Sequence, residues 1–222
     1  MTRRAKLGIS VAALATVIGA PALMSWSRTA EAATKVPAAA LVEPGKGNRE
    51  VAMLAGGCFW GVEAVYEHVN GVIDVTSGFA GRQSGPVTYS NVKSSGSAEA
   101  VRIVFDPRKV SYAELLRIMF AVVADPTQVN RQGPDVGPQY RTAIFPQSPA
   151  QERVAKAYIA QLQKARVFPK PIATKVESGR FVEAEAYHQD FMRKNPAHPY
   201  IVVHDRPKLA ALKQQFPNRW KG

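Results

Sequence analysis

Cys58 is the single cysteine of the 222-residue chain, set in the stretch Gly56-Gly57-Cys58-Phe59-Trp60-Gly61-Val62-Glu63. Val51-Ala52-Met53-Leu54 before it has the apolar run of a short buried strand, and Val62, Val65, Tyr66 and Val69 after it recur at helical spacing. That order puts the sulfur where a strand turns into a helix. Glycines there allow a tight turn and close approach of another molecule, and unpaired helix N–H groups favour a thiolate or an oxyanion. A thiolate is a nucleophile. The competing assignment is a small buried hydrophobe, which many lone cysteines are.

A cysteine hydrolase or acyl transferase would need a base within hydrogen-bond reach of the sulfur, and His68, His188, His198 and His204 are the candidates. His68 falls on the same helix but about three turns from Cys58, too far to help. His198 and His204 have no third ligand spaced with them, so no metal site is expected. Glu99 stands at the entry of an alternating segment, where a surface charge on an edge strand is the ordinary expectation. Tyr89 and Tyr140 lie in or beside two long loops, and tyrosines in such places usually pack, with the hydroxyl finding some partner.

The elements that must position these groups follow from periodicity. Glu50 opens the folded part, Gly71 ends the Cys58 helix, and residues 72–80 read as a strand, followed by a polar loop over 81–97. Ala98 to Phe105 alternates as the next strand. Ser111 is a candidate N-cap with Glu114 three residues on, before Leu115, Ile118, Met119 and Val122 on one helix face. The segment 125–139, with three prolines and two glycines among them, reads as a binding loop. Residues 140–145 return to strand, 148–164 form a helix, 174–176 a short strand, and the tail ends in a helix over 208–216. This order suggests an α+β fold, a two-layer α/β sandwich with a mixed, mainly antiparallel sheet on a ferredoxin-like core.

At 46% hydrophobic and 21% charged, the chain suits one globular domain with a sizeable core. Arg3, Arg4 and Lys6 precede an apolar run from Leu7 to Met24, and Ala30-Glu31-Ala32 supplies a small-x-small cleavage pattern. Residues 1–32 therefore read as an export signal peptide, by a general secretory or twin-arginine route, and residues 33–49 as a flexible leader. The catalytic domain is then 50–222, and the periplasm the expected compartment. Loss of Arg3, Arg4, Lys6, Arg28 and Glu31 takes the formal charge from +12 to +9. The remaining basic residues are scattered rather than set in a stripe with aromatics, which argues against nucleic acid. One cysteine excludes an intramolecular disulfide and leaves a reactive or an inert thiol. An inert thiol would make the chain a basic binding module.

Gly57-Cys58-Phe59-Trp60-Gly61-Val62-Glu63 resembles the signature of the A-type peptide-methionine (S)-S-oxide reductases. Further motifs follow in that family's order: Gly78-Phe79-Ala80-Gly81, Pro86-x-x-Tyr89, Ala98-Glu99, Asp135-x-Gly137-x-Gln139-Tyr140-Arg141 and Tyr187-His188-Gln189-Asp190. The resemblance implies an oxidoreductase that reduces the S epimer of methionine sulfoxide, free or in proteins, with Cys58 attacking the sulfoxide sulfur. A sulfoxide is a poor electrophile until its oxygen is protonated, so the match assigns Glu99 as the acid, kept neutral by burial beside Phe59 and Trp60. Phe59 and Trp60 would form a slot for the S-methyl group, Tyr89 and Tyr140 would donate to the sulfoxide oxygen, and Asp135 would orient Tyr140 or a water. Glu63 and His188 match the motifs but are assigned to structure.

Attack leaves Cys58 as a sulfenic acid. Many members of that family carry further cysteines for its reduction, and this chain has none. The expected reductant is an external thiol (a thioredoxin-like protein, a glutaredoxin-like protein or a small thiol), with no cofactor and no metal, acting on a monomer. Two departures bear on the pocket: the loop before Glu99 is short, with Ser97 where a histidine is common, and Pro138 stands where threonine is common.

Overall fold

The computed structural model describes Met1, residues 35–83 and residues 85–222. The export-signal reading of residues 1–32 lies, Met1 apart, outside the described residues. The elements are β1 (Glu50–Gly56), α1 (Phe59–Glu67), β2 (Val72–Gly81), α2 (Val92–Ser95), β3 (Ala98–Phe105), α3 (Tyr112–Ile118), β4 (Arg131–Gln132), β5 (Asp135–Val136), β6 (Thr142–Phe145), α4 (Pro149–Lys164), β7 (Lys175–Val176), β8 (Arg180–Glu183), α5 (Phe191–Lys194) and α6 (Arg206–Gln215). A wider helical turn, Met119–Val123, continues α3, and another, Ile201–Asp205, leads into α6. Among the described residues no helix is long and apolar enough to cross a membrane.

The main sheet has the order β7-β6-β1-β3-β2-β8, antiparallel throughout except where β6 meets β7. Its centre, β6-β1-β3-β2, with α1 linking β1 to β2 and α3 lying between β3 and β6 in the chain, is the ferredoxin-like α+β arrangement expected from the element order. Strand alternation sorts the two faces. Leu54, Val101, Ile103, Phe105 and Ile144 join the core shared with the helices, while Met53, Ala55, Ala98, Ala100, Ala143 and Phe145 cluster separately. Glu99 has the parity of Val101 and Ile103, so it is carried on the helix-covered face. It is also on an interior strand, between β1 and β2. That corrects the edge-strand expectation.

The helix starts follow local chemistry. Ser111 Oγ accepts from Glu114 N at 3.1 Å, and Ser148 Oγ accepts from Gln151 N at 3.2 Å, each satisfying an otherwise unpaired N–H of the first turn. Strand β8 has no counterpart in the periodicity reading, because four residues give too short an alternation. Its docking on β2 depends on Gly78: a Cβ there would lie 2.8 Å or less from the Phe181 ring.

Residues 35–49 have little regular structure, yet they form a docked strap rather than a free leader. Val36 is buried in the main core, and its carbonyl accepts from Arg117 Nε at 2.9 Å. Tyr158 Oη donates to Pro37 O at 2.7 Å, Gln161 holds both Ala38 O and Ala40 N, and Arg153 pairs with Glu43 at 2.7 Å. Side chains of α3 and α4 thus satisfy a backbone that no ladder satisfies. Tyr158→Phe is expected to lower unfolding free energy by about 1 kcal/mol in urea titration. An unchanged midpoint would mean that the strap is not bound in solution.

Candidate active site

Cys58 occupies the N-cap position of α1 (φ −55°, ψ 121°) and is 8% exposed. The preceding Gly57 has φ +91°, and a Cβ there would come within 2.6 Å of the Gln132 side chain, so the β4–β5 hairpin lies directly on the turn that carries the sulfur. Gln132 is held in turn by Asp125, whose N–H donates to its Oε1 at 3.0 Å and whose carbonyl accepts from its Nε2 at 3.1 Å. The glycine therefore serves close approach as well as the turn.

The first N–H of α1, that of Phe59, donates to Glu99 Oε2 at 3.1 Å. This bond ties the sheet carboxyl to the residue next to Cys58. Glu99 is 1% exposed, and burial is the main reason its pKa rises to about 8; the Phe59 N–H opposes the rise and the Asp135 charge adds to it. At neutral pH the carboxyl holds its proton in most molecules. Burial also pushes the Cys58 thiol up, followed by the charges of Glu99 and Asp205, against the Trp60 N–H and Lys208. The thiolate expected at a helix N-terminus is thus not the resting form, because desolvation outweighs the N–H groups.

The two aromatics after Cys58 have different situations. Phe59 is fully buried, packed against Phe79 (ring centroids 5.8 Å apart) and His188 (5.0 Å). Trp60 is half-buried, stacked on Phe191 at 3.7 Å and 9°, with its Nε1 donating to His188 Nδ1 at 3.1 Å. Trp60 is therefore the partly exposed aromatic of the pair and Phe59 the packed one. His188 must be neutral to accept that bond, and burial lowers its pKa accordingly. Glu63 Oε2 accepts from Asp190 N at 3.0 Å and ties α1 to the start of α5.

Tyr89, the most exposed of the group at 41%, lies 4.5 Å from the His188 ring. The phenols of Tyr89 and Tyr140 are both raised, by burial first and then by Glu99, with Cys58 also contributing, so both stay protonated donors. Pro138 begins the short turn Pro138–Tyr140 that presents the second of them. Asp135 does not orient Tyr140: its Oδ2 accepts from Tyr200 Oη, and Tyr200 stands edge-on to Trp60 at 5.9 Å.

Two neighbours of this site have no counterpart in the motif reading. Tyr200 reaches Asp135 from 65 residues away, and nothing local marks it. Asp205 is fully buried, with Oδ1 3.0 Å from Lys208 Nζ, and the one trace of it is Gly61, where an added Cβ would overlap the Asp205 carboxylate. None of the four histidines is hydrogen-bonded to the sulfur. His68 instead contacts Ala64 O at 2.7 Å and stacks on Trp220, and the hydrolase alternative loses its base.

A thiol and a neutral carboxyl meeting at one helix turn, flanked by two phenols and an indole, match what sequence comparison finds. The family model described as "Peptide methionine sulfoxide reductase" matches residues 50–220. The chain belongs to the peptide methionine sulfoxide reductase family. It is similar to peptide methionine sulfoxide reductase MsrA 2 of Synechocystis sp. (52% identical, covering 78% of this chain and 82% of the relative) and to MsrA of Thermus thermophilus (47%, covering 75% and 95%). Among solved structures it resembles the reduced form of Mxr1 from Saccharomyces cerevisiae, with TM-score 0.62 and 32% identity over 72% of this chain and 92% of that one. Methionine sulfoxide reductase A of Corynebacterium diphtheriae gives a TM-score of 0.57 at 30% identity, over 70% of this chain and 79% of that one. The family match covers all the site residues named above.

Gly61→Ala is expected to cost about 1–3 kcal/mol of stability through overlap with Asp205. Much of that loss should be recovered in Gly61→Ala/Asp205→Ala. Equal melting points for the single variant and the parent would show that α1 and Asp205 are not in contact.

Proposed function

We propose that the chain reduces the S epimer of methionine sulfoxide, free or in proteins, with Cys58 as nucleophile and Glu99 as acid. The observation that carries this is the Phe59 N–H to Glu99 bond, which sets a carboxyl that is neutral at physiological pH beside the one thiol of the protein. The S–O bond breaks only if oxygen receives a proton and sulfur meets a nucleophile, and the two groups supply these from one side of the cleft. The phenols of Tyr89 and Tyr140 add hydrogen bonds to the oxygen as it takes on negative charge. Trp60 is the wall against which the S-methyl group packs, and its fixed plane, stacked on Phe191 and tied to His188, gives the slot its preference between epimers.

The atoms balance as follows. Cys58–SH and R–S(O)–CH3 give Cys58–SOH and R–S–CH3. A thiol R′SH then attacks the sulfenic sulfur, forming Cys58–S–S–R′ and water, and a second thiol releases Cys58–SH and a disulfide. No second cysteine exists within the chain, so both thiols come from outside: a thioredoxin-like protein, a glutaredoxin-like protein or a small thiol. Arg3, Arg4 and Lys6 before the apolar run to Met24 support export, with the periplasm as the place of work.

Replacing the acid tests the scheme. With dithiothreitol as reductant, Glu99→Gln should reduce a peptide (S)-sulfoxide about 10²–10⁴-fold more slowly than the parent. The active form of Glu99 is the protonated one, so the parent's rate should fall as pH rises through about 8. The amide introduced by the substitution does not titrate, so that fall should be missing from the variant's residual rate. A parent rate that climbs undiminished through this range would remove Glu99 from the acid role.

A further inference from the structure

The β4–β5 hairpin lies on the turn that carries Cys58, yet little holds it there. No side chain from residue 127 to residue 138 is buried. Among the described residues, every hydrogen bond of residues 127–137 finds its partner within 125–140, save one: Tyr200 Oη donates to Asp135 Oδ2. The two ends of that bond differ in how firmly they are set. Tyr200 packs against the cluster of Ala64, Met192 and Ile201, and its ring stands edge-on to Trp60 at 5.9 Å. Ile201, the next residue, is fully buried and fixes the tail to α1. Asp135 belongs to a two-residue strand paired with β4 alone. A segment with few buried contacts opens at small cost, so one bond to a fixed partner decides how often this one does.

What the hairpin covers is the approach to the sulfur. Gln132 lies against Gly57, and Cys58 beside it is 8% exposed. On the reductase reading this sulfur is reached twice in each cycle, first by a sulfoxide side chain and then by a thiol of another molecule. A thiol carried on a protein needs a wider approach than a side chain does. We propose that Tyr200 is a positioning residue: its bond to Asp135 latches the hairpin over the Cys58 turn, and release of that bond opens the sulfur to a bulky thiol. The need for the second visitor rests on the reductase reading; the latch itself rests on the contacts alone.

With a single cysteine, maleimide uptake reports Cys58 alone. N-ethylmaleimide and a maleimide carrying fluorescein react with the same thiolate, so the ratio of the bulky rate to the small one reads access rather than ionisation. In the full chain, Tyr200→Phe keeps the ring and removes the hydroxyl. It should raise that ratio about tenfold, the shift in an opening equilibrium that loss of a hydrogen bond to a carboxylate gives. Asp135→Ala breaks the same bond from the hairpin side and should raise the ratio likewise. Amide exchange should quicken by a similar factor at Gly133 and Gly137, whose N–H groups bond within the hairpin, and stay at the parent's rate along β1 and β3. Tyr158→Phe, which loosens the strap, controls for a general loss of stability, and its ratio should equal the parent's. An unchanged ratio or unchanged hairpin exchange in Tyr200→Phe overturns the proposal, as does an Asp135→Ala that fails to follow it or a Tyr158→Phe that rises as far. Should one of the two latch variants not fold, the other decides by the same criteria. No sulfoxide enters these measurements, so the latch fails or stands separately from the reductase reading.

Discussion

The site depends on one buried hydrogen bond, from the Phe59 N–H at the start of α1 to the Glu99 carboxyl on β3. A helix N-terminus needs acceptors, and an ionised carboxylate is the usual one. Here the acceptor is buried inside the sheet–helix interface, where ionisation is opposed more strongly than the N–H favours it, so the carboxyl accepts through one oxygen while retaining a proton on the other. The same bond that joins helix to sheet thus holds a protonated carboxyl at the helix turn that carries the sulfur.

Burial governs both the Glu99 carboxyl and the Cys58 thiol, and in the same sense. It favours the neutral carboxyl and the protonated thiol, and the Asp135 charge adds to the carboxyl's rise. The surrounding phenols are also raised and remain donors. A cleft of neutral donors suits a sulfoxide, a neutral dipole whose oxygen gains charge only as the bond breaks. Donors set before the reaction stabilise that charge without moving to meet it. Trp60 contributes the apolar side, and its plane is fixed by Phe191 behind it and His188 at its nitrogen.

Much of this arrangement was legible in the residues. The apolar run before Cys58 and the helical spacing after it locate the strand-to-helix junction, and the alternation from Ala98 to Phe105 locates β3 with Glu99 at its entry. That β3 is interior was not legible, because strand order depends on pairing between distant segments rather than on any local period. Asp135 reads from the sequence as orienting Tyr140 or a water, whereas the phenol it accepts from is Tyr200, brought close by the tail folding back over Trp60. Residues 35–49 read as flexible because their order comes from Arg117, Tyr158 and Gln161 elsewhere, which composition does not register. Gly61 carried a hint of Asp205, since a glycine within a helix marks a close neighbour, but not the neighbour's identity.

The central claim is that oxygen passes from the sulfoxide to Cys58. Mass spectrometry of the protein after one equivalent of a peptide (S)-sulfoxide, with no reductant present, tests it most directly. A gain of one oxygen atom located on Cys58, with an equal amount of reduced peptide released, is the expected result. Reduced peptide without oxygen on Cys58, or an unchanged peptide beside an unmodified thiol, would contradict it.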